Sequence, residues 1–240
     1  QPFIVDDPKG KQYVGMLKTI SNNPADIIPT ADIILFCLPA FLVEQTLETI
    51  KPYLSSKTIV GSVVGNTGFF IFAHKVLADQ PIGLFAFQRV PYISRVVEYG
   101  KKASLLGYKD KLLIATEHIS NPQEFCNDIS MLFCTPTILL QSFYEVTLRN
   151  SNPILHTGRL YSMWKDWDGE QFTKNSLFYS SWTDEASDLL IKMDIEFFCL
   201  LDKLGVSTEH LPTLLQHYEV QGAESLTQKI KSIPAFASIL

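Results

Sequence analysis

Short apolar runs alternate with amphipathic stretches through the first half of the chain, and after residue 141 only amphipathic stretches remain. Residues 31–40 hold Ile33-Ile34-Leu35-Phe36-Cys37-Leu38 closed by Pro39-Ala40, the pattern of a parallel strand buried on both faces. In residues 41–54, Val43, Leu47, Ile50 and Leu54 recur at helical spacing. A strand over 58–64, the turn Gly65-Asn66-Thr67-Gly68, an apolar helix ending at Leu77 and a strand over 82–87 follow. Strand, helix, strand, helix, strand at this spacing predicts a parallel sheet with right-handed crossovers. Residues 2–20 predict a hairpin turning at Asp6-Asp7-Pro8-Lys9-Gly10, and a short helix is expected over 24–28. Residues 95–116 read as antiparallel strands expected to complete the edge of the same sheet. Asn121-Pro122 is the favoured cap-and-first-residue order for a helix to about Phe133, and a last short strand is expected over 137–140.

After Gln141 the β signals stop. Residues 143–162 are helical in character, interrupted at Asn152-Pro153, where a proline either starts a new helix or kinks a long one. Thr183 followed by Asp184 and Glu185 marks a helix start, and Leu189, Met193, Phe197, Leu200, Leu201 and Leu204 form its expected apolar stripe, stopped by Gly205. Asp194 and Glu196 are expected to face solvent or cap a neighbour, and a final helix is expected over 223–232. The fold class is therefore α/β: a Rossmann-type, mostly parallel sheet, incomplete at its amino terminus, over residues 1–141, followed by an all-helical domain over 142–240.

Composition narrows the partners. With 46% hydrophobic and 19% charged residues and a net charge of −5, the profile is globular and argues against nucleic-acid or anionic-membrane binding. No apolar run is long enough to span a bilayer, and no signal peptide is read at Gln1. Lys101, Lys102, Lys109 and Lys111 flank a hairpin and read as a solvated surface. The four cysteines form no CxxC and no metal-ligand spacing; Cys37 and Cys199 are expected to be buried, and a reducing, cytoplasmic setting is favoured. His210 and His217 have no metal-ligand pattern around them, so no metal is expected.

Candidate chemistry sits in two places. In parallel α/β sheets ligands lie at the carboxyl ends of the strands, and the loops there are Leu38-Pro39-Ala40 and Gly65-Asn66. Gly65 and Gly68 either let backbone amides approach a phosphate or only make a tight turn. The second place is Asn152-Pro153-Ile154-Leu155-His156, where a carboxamide and an imidazole four residues apart share one helix face. Asn152 could orient a substrate or cap the helix; His156 could exchange a proton or be a satisfied interior histidine. Trp164-Lys165-Asp166-Trp167-Asp168-Gly169 is either a turn pinned by tryptophans or an active-site wall, with Lys165 near a carboxylate.

Four segments in this order resemble the opine dehydrogenases of the octopine/nopaline type, relatives of the 6-phosphogluconate dehydrogenase-like two-domain reductases. They are residues 31–40, Arg95-Val96-Val97-Glu98-Tyr99-Gly100-Lys101, Asn152-Pro153-Ile154-Leu155-His156, and Trp164-Lys165-Asp166-Trp167-Asp168-Gly169. The resemblance implies a dinucleotide-binding domain for NAD or NADP and a helical substrate domain. It implies a reaction in which the amine of an amino acid joins a 2-oxo acid and the imine is reduced by hydride. By the resemblance His156 would be the acid/base and Asn152 would hold substrate; from the residues themselves, Leu38, Pro39, Ala40, Gly65 and Asn66 are expected to face the cofactor and Arg159 or Lys165 to bind a carboxylate.

Two departures stand out. The GxGxxG fingerprint is absent, and so is the family's Arg-Tyr-x-x-Glu-Asp-like segment, whose acidic residue partners the histidine. A mononucleotide-binding unit is expected upstream, the chain is expected to be a fragment at both ends, and these residues alone are expected to lack dehydrogenase turnover. NAD versus NADP, the two substrates and a homodimer are left open. The competing readings are a 2-hydroxy acid or ketopantoate-like reductase of the same architecture, and a non-catalytic cofactor-sensing or oligomerisation module.

Overall fold

The computed structural model describes residues 2–65, 68–148, 152–171, 173–209, 211–237 and 239; the side chains of Asn152 and Ala235 lie outside that description. The chain divides into two compact units, Gln1–Arg149 and Asn150–Leu240.

The first unit is built around a five-stranded sheet in the order β3-β4-β5-β8-β9. These strands are β3 (Ile33–Phe36), β4 (Ile59–Ser62), β5 (Gly83–Phe87), β8 (Leu112–Glu117) and β9 (Thr137–Leu139). β3, β4 and β5 are parallel, β8 runs against β5, and β9 is parallel to β8, so all but one of the pairings is parallel. β5 is buried along its whole length, and its alternation shows why. Leu84 and Ala86 point into one core, with Val43 and Leu47 of α1 (Ala40–Ile50), Phe69 and Phe70 of α2 (Phe69–Val76) and Val146 of α4 (Phe143–Thr147). Phe85 and Phe87 point into the other, with Phe125, Cys126 and Ile129 of α3 (Pro122–Leu132). Successive side chains on a strand face opposite sides, so helices on both faces of the sheet make a continuous apolar run the stable solution. Gly61 belongs to this packing, because a Cβ there would lie 2.0 Å from the Phe85 ring.

Several expectations need correction. β3 is an edge strand among the described residues, and only its Phe36 is buried, because no described strand covers its outer side. The hairpin of β6 (Tyr92–Glu98) and β7 (Lys102–Tyr108) does not extend this sheet. β7 pairs in parallel with β1 (Pro2–Asp6), itself paired with β2 (Gln12–Met16), giving a separate four-stranded sheet, β2-β1-β7-β6. The expected helix at 24–28 is a pair of 3-10 turns, the first capped by Asn23. Asn121 stands at the cap of α3 but makes no side-chain cap bond there; its amide donates to Glu124 instead. Cys37 and Cys199 are exposed, and of the four thiols only Cys126 is buried.

The second unit contains α5 (Asn152–Trp164), α6 (Asp184–Lys203), α7 (Leu214–Tyr218) and α8 (Ala223–Ser232). Leu155, Trp182, Ala186, Leu190, Leu214, Leu226 and Ile230 form its core. Thr183 caps α6 through Ala186 N, as its position in the sequence predicts, but the buried stripe is rotated from the expected one. Ala186, Ser187, Leu190, Asp194 and Leu201 are buried, whereas Leu200 and Leu204 are 48% and 42% exposed. α6 is covered from more than one side: α5 packs against it at Gly158, where a Cβ would meet Met193 Sδ at 3.1 Å and Leu190 Cδ1 at 3.2 Å, and α8 meets it through Ser187 and Thr227, whose hydroxyls lie 2.7 Å apart. Asp194 accordingly points inward and accepts the Leu214 N–H at 2.9 Å, holding the start of α7. No helix among the described residues is long and apolar enough to cross a membrane.

Candidate functional site

α5 begins at Asn152-Pro153, where a proline at the second helical position costs no intrahelical bond. From there the helix sorts its side chains by direction. Leu155 enters the core, Gly158 meets α6, and His156, Arg159, Leu160 and Met163 border a cavity of about 820 Å³. The pairing of His156 with Arg159 on one rim follows from i, i+3 spacing.

The opposite wall is the segment Lys174–Thr183. It is irregular rather than helical, and contacts with Phe236, Ala237 and Ile239 hold it in place. Phe178 N–H donates to the Ile239 carbonyl at 2.8 Å, Ser180 Oγ donates to the Ala237 carbonyl at 2.9 Å, and Tyr179 stacks on Phe236 with ring centres 4.2 Å apart. Tyr179 is thereby fixed with its hydroxyl 3.3 Å from His156 Nε2, and Phe178 meets the imidazole edge-on at 5.5 Å. Burial pushes the Tyr179 phenol above its ordinary pKa, so it stays protonated at neutral pH. The imidazole itself is exposed to the cavity side.

Arg159 is the second polar group of the site and is only 3% exposed. Its Nε donates to the Phe178 carbonyl at 2.9 Å, and Nη2 donates to the Ser181 carbonyl and hydroxyl at 2.9 and 2.8 Å. The guanidinium lies 5.3 Å from the Trp182 ring centre. Burial pulls its pKa below the ordinary value, and no carboxylate among the described residues pairs with it. The arrangement offers an acid/base group beside a desolvated cation, which suits a substrate that carries a carboxylate next to the atom that gains or loses a proton.

The other expected residues fall elsewhere. Lys165 is tied to Glu185, with Asp166 at 3.9 Å, and borders a separate hollow of about 200 Å³ beside Asp188 and Lys192. Trp167 pins the turn after α5 by donating from Nε1 to the Glu170 carbonyl at 2.7 Å. Asn66 and the Asn152 side chain lie outside the described residues, as does His210.

In the first unit, Pro39 is the residue before α1 and Ala40 its first; both are exposed, while Leu38 packs on the core. Gly68 precedes α2 at φ +76°. Neither helix start has a side-chain cap or an acidic residue in its first turn, and both follow directly on parallel strands. Gly65 is glycine for packing: a Cβ there would lie 2.9 Å from Val146 Cγ2 and 3.2 Å from the Ala86 Cβ. Next to it, Val64 holds φ +88°, a conformation costly for a β-branched residue and absent from any reading of the sequence. Tyr179, Phe178, Lys174 and Ser181 were likewise missed. The signal for them was a serine-rich, aromatic stretch without periodicity between two helices, a common form of binding loop.

Comparison with known proteins agrees with this architecture. Residues 139–240 match the family described as NAD/NADP octopine/nopaline dehydrogenase, alpha-helical domain. The opine dehydrogenase of Haliotis discus hannai is 28% identical over 72% of this chain and 44% of its own length. The octopine dehydrogenase of Mizuhopecten yessoensis is 26% identical over 78% of this chain and 48% of its own. The chain therefore spans about half the length of these curated relatives. A solved octopine dehydrogenase with NADH and L-arginine aligns over 100% of this chain and 64% of its own, with a TM-score of 0.80 at 20% identity, and so shares the fold. In its helical part, residues 139–240, the chain is thus similar to the alpha-helical domain of the octopine/nopaline dehydrogenases.

Proposed function

We propose that this chain forms part of an NAD(P)-dependent oxidoreductase that reduces the imine of an amino acid and a 2-oxo acid, with His156 as acid/base. The observation that carries the proposal is His156 sharing the rim of one cavity with the buried, carboxylate-free Arg159. Reduction of an imine needs a group able to exchange a proton at the reacting nitrogen, and imidazole suits that near neutrality. Arg159 would orient the carboxylate beside that nitrogen, and Tyr179 would hold the ring. Asn152, one turn before His156 on α5, would contact substrate from the same face.

Residues 1–141 would serve the cofactor and 142–240 the substrates. The residues of the first unit fit a dinucleotide: the uncapped starts of α1 and α2 present backbone N–H groups without an acidic neighbour, which favours a phosphate. Leu38, Pro39, Ala40, Gly65 and Asn66 would line that edge. When bound, the nicotinamide cofactor supplies the hydride.

The test is NADH and NADPH oxidation by the purified whole protein, with any residues that flank these 240 included, on pyruvate plus single amino acids against pyruvate alone. Oxidation that requires the amine supports the proposal, and His156→Gln should then lower kcat/KM by about 100- to 10,000-fold with cofactor affinity unchanged. Equal rates without amine would make the protein an oxo-acid reductase instead. Full activity of His156→Gln would remove the histidine from the mechanism.

A further inference from the structure

Resting on that reading, we propose that the cavity selects substrates by charge: Arg159 and Lys174 make it an anion site, and the amine it accepts carries no cationic side chain. Both cations border the cavity. Among the described residues Arg159 donates its hydrogen bonds to neutral oxygens only, so its charge is buried there without a counter-charge. Buried charges are ordinarily paired, and a charged group left this way in a cavity wall fits a ligand that brings the opposite charge. Lys174 stands at the exposed rim with no ion pair among the described residues.

The rest of the wall reinforces the sign. Hydroxyls, aromatic rings and aliphatic side chains line it, and no Asp or Glu does. The residues outside the description contain no Asp or Glu either, so none of their side chains adds a carboxylate. Of the carboxylates close by in sequence, Glu185 and Asp166 face Lys165, and Asp168, Glu170 and Asp184 are exposed and do not line the cavity. A substrate guanidinium or ammonium would thus enter a region whose described lining residues hold two positive charges and no negative one. At an effective dielectric of about 20, like charges some ~10 Å apart cost about tenfold or more in affinity. An oxo acid combined with a neutral or anionic amine meets the opposite balance. The octopine dehydrogenase structures with L-arginine or agmatine belong to proteins about 20% identical to this chain, so the cavity wall is free to differ from theirs.

The experiment pairs pyruvate with L-alanine, taurine, L-arginine and L-lysine in steady-state assays of the purified protein and of Lys174→Glu, an exposed position where substitution does not disturb the core. Expected are kcat/KM values at least tenfold higher for alanine or taurine than for arginine, and a gain for arginine relative to alanine of about tenfold in Lys174→Glu. Arginine used as well as alanine, or a ratio unmoved by Lys174→Glu, overturns the inference. If no amine supports NADH oxidation, the functional reading fails, and charge selection is read separately from quenching of tryptophan fluorescence by pyruvate and by agmatine. Saturable quenching by pyruvate alone, weakened in Lys174→Glu, supports the anion site. Quenching by agmatine at equal or lower concentration, or none by pyruvate, overturns it.

Discussion

The Tyr179 hydroxyl lies 3.3 Å from Nε2 of His156, across 23 residues of chain. Tyr179 is 8% exposed and stacked between Phe236 and Trp182, so the imidazole is referenced to the core of the helical unit rather than to its own mobile rotamers. A phenol that keeps its proton either donates to Nε2, with the ring proton on Nδ1, or accepts from Nε2–H, so the contact weights one imidazole tautomer over the other.

Tyr179→Phe should therefore change the His156 tautomer ratio while leaving the fold intact. One hydrogen bond of ~0.5–1.5 kcal/mol corresponds to a change of up to about tenfold. Ring ¹⁵N chemical shifts of His156 read the ratio directly. An unchanged ratio would show that the contact only packs.

Asp194 offers a pH test. Burial pushes its carboxyl above the usual carboxylate range, opposed by the Leu214 N–H it accepts. A carboxyl whose folded pKa is raised favours the folded state while protonated, and that contribution is lost as pH rises through the folded value. Asp194→Asn keeps an acceptor for Leu214 without the charge, so it should gain thermal stability relative to the parent at pH 7 and not at pH 3.5. Asp194→Ala should lose about 1–3 kcal/mol by leaving a buried N–H unpaired.

Two glycines should respond differently to the same substitution. Gly61→Ala drives a methyl to 2.0 Å from the fully buried Phe85 ring, where neither strand nor ring can yield, and should cost about 2–3 kcal/mol. Gly158→Ala meets Met193 Sδ at 3.1 Å, which a flexible thioether can relieve, and gains about 1 kcal/mol of helix propensity. Its net effect should stay within about 1 kcal/mol of zero, as read by denaturant unfolding.

Lys165 and Arg159 should separate just as clearly. Lys165→Ala removes a surface ion pair with Glu185 and should change stability by less than about 1 kcal/mol, with the oxo-acid KM unchanged. Arg159→Lys cannot reach the Phe178 and Ser181 carbonyls together with one ammonium, so it should cost about 1–3 kcal/mol and raise that KM.

Most of the secondary structure was legible because the periods are strong. The final helix over 223–232 and the start of α6 at Thr183 stand where the pattern puts them. The β6–β7 hairpin was legible as a hairpin, but β1, which pairs with β7, lies 98 residues earlier (Ile4 opposite Lys102), and no local pattern encodes that pairing. The stripe on α6 was misplaced by a fraction of a turn because hydrophobic residues continue around the helix. Contacts with α5 at Gly158, with α8 through Ser187 and with the start of α7 through Asp194 then decide which of them faces inward.

The sequence by itself determined that His156 and Arg159 share a helix face, since α-helical geometry makes i, i+3 neighbours of any two such residues. It also determined the alternation of strands and helices that builds the parallel sheet. Only the tertiary structure decided that Arg159 is buried without a carboxylate, that Lys165 is spent on Glu185, and that Lys174 and Tyr179 complete the cavity. Those outcomes depend on how an aperiodic bend is held by the carbonyls of Ala237 and Ile239 some 60 residues away, and such contacts are selected by packing, not by local propensity.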